Sequence, residues 1–195
     1  MPGGPSASAP AVRTRRAVFV DRDGTLNPDL HYLAEPERVE VFHGVSEGIR
    51  LLRAHGYLIV CITNQSGIER GFYTDRDVGA IHERLNRILA PGGASVDRFY
   101  YCPHAPESNC RCRKPGIELF ERAQAELGIG LASSAIVGDR GLDVAAGERL
   151  GLFTALVPRP GPEGERLRDS ESDDVLPDLV APSFRAAALH LLHRG

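Results

Sequence analysis

The sequence predicts an α/β fold in which a doubly wound parallel sheet forms a single domain, and three observations support this prediction. Short apolar runs alternate with helical patterns from Ala17 onward, polar residues directly follow several of these runs, and 195 residues suit one domain. Helices on both faces of a parallel sheet bury its strands completely, which explains why the runs are continuously apolar.

The elements follow one another in a regular order along the chain. Strands are predicted at 17–20, 57–62, 98–102, 135–137 and 153–157, because each is a short apolar run bounded by glycine, proline or polar residues. Helices are predicted over 45–55, from 74 to about 90, over 117–127 and over 184–192, from apolar residues three and four positions apart. Gly56 and Gly128 are typical helix ends, and Thr74 with Asp77 resembles a capping box.

Two segments outside these elements have a different composition. Residues 1–14 are rich in Pro, Gly, Ser and Ala, and we expect a disordered leader there. Residues 158–177 contain four of the fourteen prolines and many charges, which is typical of a mobile polar loop. The remaining chain, 15–195, is expected to be one domain without a separate cap, because the connections between elements are too short to hold one.

Composition limits the possible function classes. Hydrophobic residues make up 42% and charged residues 25%, as in folded proteins. No apolar run approaches the roughly 18 residues of a membrane span, and no apolar block precedes the first arginines, so we expect a cytoplasmic protein. With 23 basic and 26 acidic residues, the net charge of −3 attracts neither nucleic acid nor an anionic membrane, so phosphate binding must be local.

Acidic residues stand where two of the predicted strands end. Strand one is followed by Asp21 and Asp23, and strand four leads to Asp139. The carboxyl ends of the strands form the ligand-binding edge of such a sheet. Carboxylates crowded there repel one another unless a hard cation joins them, and three of them suit Mg²⁺. An ordinary turn with solvated acids is the alternative interpretation of this motif.

Three further residues carry groups that bind phosphoryl oxygens. Thr63 follows strand two and offers a hydroxyl donor. Arg113 and Lys114 precede a predicted helix and offer a forked and a compact cation. Taken singly, each is also compatible with ordinary turn chemistry or with a solvated basic turn.

Metal-ligating residues cluster between strand three and the next helix. Cys102, His104, Cys110 and Cys112 form a C-x-H-x5-C-x-C array. Three thiolates and one imidazole make a closed tetrahedral Zn²⁺ set, which is typical of a structural site. Chance clustering or a disulfide is the alternative. Because Cys112 directly precedes the two cations, zinc here would stiffen the loop that presents them.

In their order along the chain, these motifs resemble those of the haloacid dehalogenase superfamily of phosphotransferases. The resemblance covers most of the folded chain. It implies that Asp21 is a nucleophile that forms an aspartyl phosphate, and that Asp23 is the general acid/base. It further implies that Thr63 and Lys114 hold the transferring oxygens. Mg²⁺ would bind Asp21, the main-chain carbonyl of Asp23, and Asp139.

Four segments narrow the resemblance to the zinc-bearing phosphatases of this superfamily, which act on heptose bisphosphate or histidinol phosphate: DRDGTLN, TNQSGIERG, CRCRKP and GDRGLD. The substrate contacts that it implies are Asn27, Asp29, Leu30, His31, Tyr32, Asn64, Gln65, Ser66, Arg113 and Arg140. The group often has lysine where Arg140 stands and a second histidine where Ala105 stands. The expected activity is Mg²⁺-dependent removal of the 7-phosphate from D-glycero-D-manno-heptose 1,7-bisphosphate.

Other functions stay open on the sequence alone. Histidinol-phosphate phosphatase uses the same chemistry on another leaving group. A DNA 3′-end phosphatase is disfavoured by the negative net charge and the lack of a basic stripe with aromatics. A phosphate-accepting receiver or a non-catalytic binding module is the remaining class, and Asp23 disfavours the receiver because an acid/base shortens the life of an acyl phosphate. We expect a monomer whose partner is a small phosphate ester, with no nucleic acid or membrane.

Overall fold

The computed structural model describes residues 14–158 and 175–194, and these residues form one parallel sheet with helices on both of its faces. The strands are β1 (Ala17–Val20), β2 (Leu58–Asn64), β3 (Arg98–Cys102), β4 (Ala135–Gly138), β5 (Phe153–Leu156) and β6 (Leu179–Val180). The helices are α1 (Val45–Ala54), α2 (Asp75–Leu89), α3 (Glu118–Leu127), α4 (Gly141–Arg149) and α5 (Phe184–Arg194). The predicted fold class is therefore confirmed. Most of the predicted leader and of the predicted polar loop lies outside the described residues.

The strand order places β1 next to the point where the order of strands along the sheet reverses. The order is β3-β2-β1-β4-β5-β6, with every neighbouring pair parallel. Val20, at the end of β1, is in register with Cys61 of β2 and Val137 of β4. Because ligands bind at such a switch point beyond the carboxyl ends of the strands, the residues after Val20 occupy the expected binding edge.

Most predicted elements agree with the structure to within one or two residues, and two elements were missed. Thr74 caps α2 with a complete capping box, and Gly128 ends α3 in the left-handed conformation. The missed helix α4 buries most of its length, including Leu142 and Val144, so its sequence shows no polar face. The missed strand β6 has only two residues and lies at the edge of the sheet.

The core consists of two apolar layers, one on each face of the sheet. Helices α1, α2 and α5 contribute to one layer, and α3 and α4 contribute to the other. Phe19 of β1 contacts Phe120 of α3 edge to face, with ring centroids 5.1 Å apart. Gly147 lets α4 approach β4 and β5, since a Cβ there would lie 2.6 Å from Ile136 and Thr154. No helix within the described residues is long and apolar enough to cross a membrane.

Candidate active site and metal centres

A cavity of about 270 Å³ opens at the carboxyl edge of the sheet. The four predicted catalytic residues line it: Asp21, Asp23, Thr63 and Lys114. Eight of the ten predicted substrate contacts line it as well: Asp29, His31, Tyr32, Asn64, Gln65, Ser66, Arg113 and Arg140. The structure therefore brings together side chains from the carboxyl ends of β1, β2 and β4 and from the end of the cysteine loop, which is the convergence that a parallel sheet predicts.

Lys114 lies between two carboxylates at the floor of the cavity. Its Nζ is 2.9 Å from Asp21 and 2.6 Å from Asp143, and it donates a 2.7 Å hydrogen bond to the main-chain oxygen of Ile62. The side chain is 3% exposed. Burial alone would lower the pKa of Lys114, but the charges of Asp143 and Asp21 outweigh burial and raise it above its ordinary value. Lys114 is therefore a fixed cation beside the predicted nucleophile.

Asp21 is buried next to this cation and has a raised pKa. Burial raises the pKa of Asp21 to about 6, although the charge of Lys114 acts in the opposite direction. One carboxylate oxygen also accepts a 2.8 Å hydrogen bond from the main-chain N–H of Arg22, which holds the side chain in place. A second cation near Asp21 would favour its ionised, nucleophilic form.

Three carboxylates fit a hard divalent cation. One oxygen from each of Asp21, Asp139 and Asp143 lies within 4.8 Å of the other two, and all three residues are buried. Thr25 donates a 3.4 Å hydrogen bond to Asp139. Lys114 offsets only part of this negative charge, so the donor set suits Mg²⁺. The predicted contribution of Asp23, through its main-chain carbonyl, stays a prediction.

Asp143 is the carboxylate that sequence analysis did not assign to the metal. It lies in the first turn of α4, where one of its oxygens accepts a 3.2 Å hydrogen bond from the main-chain N–H of Arg140. Gly138 makes room for it, because a Cβ at that position would lie 2.3 Å from the Asp143 carboxyl group. The spacing Gly-Asp-x-x-x-Asp was the available signal, since it places the second acid in the first turn of the helix that begins just after the first acid.

Asp23 is surrounded by donors. Arg22 binds it through Nε at 3.0 Å and Nη2 at 2.6 Å, and the Asn27 and Gln65 amides donate bonds of 2.9 and 2.8 Å. Burial alone would raise the pKa of Asp23, but the charge of Arg22 and these hydrogen bonds lower it below its ordinary value. The carboxyl group therefore has a fixed place and favours its ionised form.

The predicted substrate contacts have different surroundings. Asn27 is 1% exposed and lies behind the cavity wall, where it bonds to Asp23, and Leu30 is 37% exposed; neither of these two lines the cavity. Arg140 forms a 3.0 Å ion pair with Asp29 across the mouth. Arg70, which sequence analysis did not select, adds another cation to the lining.

The cysteine loop converges on one point. The ligand atoms of Cys102, His104, Cys110 and Cys112 all lie within 4.8 Å of one another, and none of these cysteines forms a disulfide. His104 Nδ1 lies 3.2 Å from the Cys112 sulfur, and the Cys102 and Cys110 sulfurs are 3.4 Å apart. Soft sulfur and imidazole donors around a shared centre fit a four-coordinate Zn²⁺.

The cysteine loop is joined directly to the cavity wall. Asn64 accepts a 3.0 Å hydrogen bond from the Lys114 main-chain N–H and donates a 3.3 Å bond to the carbonyl of the same residue. The Gln65 main-chain N–H donates to the Cys102 oxygen at 2.7 Å. Glu69, which sequence analysis missed, accepts hydrogen bonds from Ser108 and from a main-chain N–H of the loop. Movement of the cysteine loop would therefore displace Lys114.

Comparisons with known proteins agree with this geometry. A HAD-hydrolase-like family model matches residues 111–187. The chain is 37% identical over 173 residues to the D-glycero-beta-D-manno-heptose-1,7-bisphosphate 7-phosphatase of Haemophilus ducreyi, with 85% of this chain and 95% of that protein covered. The chain belongs to the heptose-1,7-bisphosphate 7-phosphatase family of the haloacid dehalogenase superfamily. A Helicobacter pylori member of this family is 41% identical over 137 residues, which cover 70% of this chain and 79% of that protein.

A solved structure from the heptose-bisphosphate phosphatase family has the same fold. It is the D,D-heptose 1,7-bisphosphate phosphatase from B. bronchiseptica, complexed with magnesium and phosphate. It superposes with a TM-score of 0.80 at 28% identity and covers 92% of this chain and 99% of its own. The resemblance to this superfamily that the sequence motifs predicted is therefore confirmed.

Proposed function

We propose that this protein is a phosphomonoesterase that removes the 7-phosphate of D-glycero-D-manno-heptose 1,7-bisphosphate through an aspartyl phosphate on Asp21. The observation that carries the proposal is the placement of Asp21 against Lys114 at the floor of the cavity, in a chain of the heptose-bisphosphate phosphatase family. A buried carboxylate beside a fixed cation can attack a bound phosphoryl group at close range.

In the first step, an Asp21 oxygen attacks phosphorus in line with the ester oxygen of the sugar. The new bond joins Asp21 to phosphorus, the ester P–O bond breaks, and Asp23 supplies a proton to the departing alkoxide. In the second step, Asp23 accepts a proton from the water that attacks phosphorus. The acyl phosphate then breaks, which releases inorganic phosphate and restores the Asp21 carboxylate.

The surroundings of Asp23 suit both of its roles. Its four donor contacts favour the carboxylate, which is the form that the second step uses. A phosphoryl dianion beside it raises its pKa and so favours the protonated form, which the first step uses. Binding of the phosphate thus favours the protonated Asp23 before the first step, and the departing alkoxide then takes that proton and leaves the carboxylate for the second step.

Cations and a hydroxyl stabilise the negative charge of the transferring phosphoryl group. Lys114 and Thr63 hold the transferring oxygens. Mg²⁺ would be held by the carboxylates of Asp21, Asp139 and Asp143, where it supplies a positive charge that stabilises the phosphoryl oxygens. Zn²⁺ in the cysteine loop would be structural, since its four protein ligands complete the coordination.

The mouth of the cavity favours a substrate with a second phosphate. Arg70, Arg113 and Arg140 all line it, and guanidinium groups bind phosphate through paired hydrogen bonds. Histidinol phosphate carries an ammonium group instead, which these cations repel. The cationic mouth therefore supports the sugar bisphosphate over histidinol phosphate.

The test is a steady-state comparison of heptose 1,7-bisphosphate and histidinol phosphate. We expect kcat/KM for the bisphosphate to be at least about tenfold higher, since one favourable charged contact is worth about that factor. Arg113→Ala is expected to reduce this preference mainly through KM, whereas Asp21→Asn abolishes turnover of both substrates. A tenfold preference for histidinol phosphate would overturn the substrate assignment. The monomeric state, the cytoplasmic location and the absence of a nucleic-acid partner stay predictions.

A further inference from the structure

Gln65 lies at the floor of the cavity, and its side-chain amide makes four hydrogen bonds within the protein. Nε2 donates to Asp23 Oδ2 and to Thr63 Oγ1, both at 2.8 Å. Oε1 accepts from Arg22 Nη2 at 3.0 Å and from the Tyr73 hydroxyl at 2.8 Å. An amide has two N–H donors and two acceptor lone pairs, so these partners use its whole capacity. A bond to substrate would have to replace one of them.

The chemistry of the partners fixes the orientation of the amide. The Arg22 guanidinium only donates, so it must face the oxygen, and the ionised Asp23 carboxylate only accepts, so it must face the nitrogen. Thr63 therefore accepts an N–H from Gln65. Its own hydroxyl proton is left for another acceptor, and the residue lines the cavity.

Arg22, the first donor to the Gln65 amide, is held in place by its own neighbours. Arg22 is fully buried and donates hydrogen bonds to both oxygens of Asp23. Its Nη1 lies 3.4 Å from His82 Nε2, and the His82 ring stacks on Phe99 with centroids 4.2 Å apart. Burial and then the charge of Arg22 lower the pKa of His82 to about 3, so the imidazole is neutral and can accept from Arg22. The hydrogen bonds therefore have one direction: Arg22 donates to Gln65, and Gln65 donates to Thr63.

We propose that Gln65 is a positioning residue that fixes the Asp23 carboxylate and directs the Thr63 hydroxyl proton toward the phosphoryl group. It acts through these two residues and does not contact the reacting atoms. This inference rests on the proposed phosphatase function, and it replaces the expectation that Gln65 binds substrate. Without the amide, Asp23 loses one of its four donor contacts, and the Thr63 hydroxyl can rotate.

Two substrates separate the two effects. p-Nitrophenol is an acidic leaving group that departs without a proton, so transfer of the phosphoryl group from p-nitrophenyl phosphate to Asp21 depends on Thr63 and little on Asp23. A sugar alkoxide needs a proton, so heptose 1,7-bisphosphate depends on both residues. Loss of positioning should therefore reduce activity on the sugar phosphate more than on the aryl phosphate.

The experiment measures kcat and KM for Gln65→Met, Thr63→Val and the double variant on both substrates. For Gln65→Met we expect kcat/KM, which reports phosphoryl transfer to Asp21, to fall about tenfold on the aryl phosphate and about a hundredfold on the sugar phosphate, and kcat to fall on both. In the Thr63→Val background, the aryl-phosphate loss caused by Gln65→Met should shrink below about threefold, because the two residues act as a unit.

Equal losses in kcat/KM on both substrates, full additivity with Thr63→Val, or a change confined to KM would each overturn the proposal. Thr154→Val is the matched control: it removes a buried hydroxyl that bonds to Asp178, neither residue lines the cavity, and the change should lower stability without any substrate-dependent effect. If Gln65→Met does not fold, Gln65→Asn replaces it, because the shorter amide cannot reach both partners. Asp21→Asn tests the phosphatase proposal separately, since it removes turnover whatever Gln65 does.

Discussion

The contacts of Lys114 predict that Lys114→Met destabilises the metal-free protein strongly. The change removes the ammonium group from between Asp21 and Asp143 and keeps an unbranched side chain of similar length. Removing one partner of a buried ion pair costs about 3–5 kcal/mol, because the remaining charge stays buried without its partner. Lys114 is 3% exposed and has two such partners, so we expect the free energy of unfolding to fall by about 4 kcal/mol. For a chain of this size, Tm should fall by roughly 10 °C.

Mg²⁺ should reverse much of this loss. A cation among Asp21, Asp139 and Asp143 replaces the charge that the substitution removes, so the stabilisation by 10 mM MgCl₂ should be larger in the variant than in the wild type. The assay is urea unfolding at pH 7.5 with EDTA and with MgCl₂. A matched control is Arg122→Met, which removes the cation of an exposed pair with Glu126 and should cost less than about 1 kcal/mol. A loss below 1 kcal/mol for Lys114→Met, or equal stabilisation of both proteins by Mg²⁺, would refute the reasoning.

Two further predictions concern His82 and the cysteine loop. His82 has a folded-state pKa of about 3, below its ordinary 6.5, so its contribution to stability is present above pH 6.5 and is lost as pH falls toward 3. Between pH 6.5 and 4, the free energy of unfolding measured by urea titration should therefore fall by about 3 kcal/mol more in wild type than in His82→Phe. The same dependence on pH in both proteins would contradict this. Cys110→Ser should lower bound zinc and Tm, whereas Cys61→Ser, at a cysteine outside the ligand cluster, should keep its zinc; full zinc content in Cys110→Ser would exclude Cys110 as a ligand.

Local patterns were sufficient to predict most of the fold. Apolar runs such as 17–20 and the stop at Gly128 are properties of neighbouring residues, so they are visible without tertiary contacts. Helix α4 was missed because a helix buried nearly all round has no amphipathic period. Strand β6 was missed because its two residues are too few for any period to show.

The position of the site was predictable, but the hydrogen bonds and ion pairs within it were not. Parallel strands place Asp21, Thr63 and Asp139 at one edge, so their proximity follows from the fold class. The partners of Asp143 and Gln65 depend on side-chain directions and on the balance of donors and acceptors around them. These properties arise only when α4, β2 and the cysteine loop are packed together.

Chemical trapping of the covalent intermediate tests the central claim most directly. The protein is quenched in denaturant during turnover of heptose 1,7-bisphosphate, treated with borohydride to reduce any acyl phosphate to homoserine, and digested for mass spectrometry. The proposed mechanism predicts homoserine at position 21 alone, with none in Asp21→Asn or in samples without substrate. Reduction at another carboxylate, or an unmodified position 21 during active turnover, would contradict it.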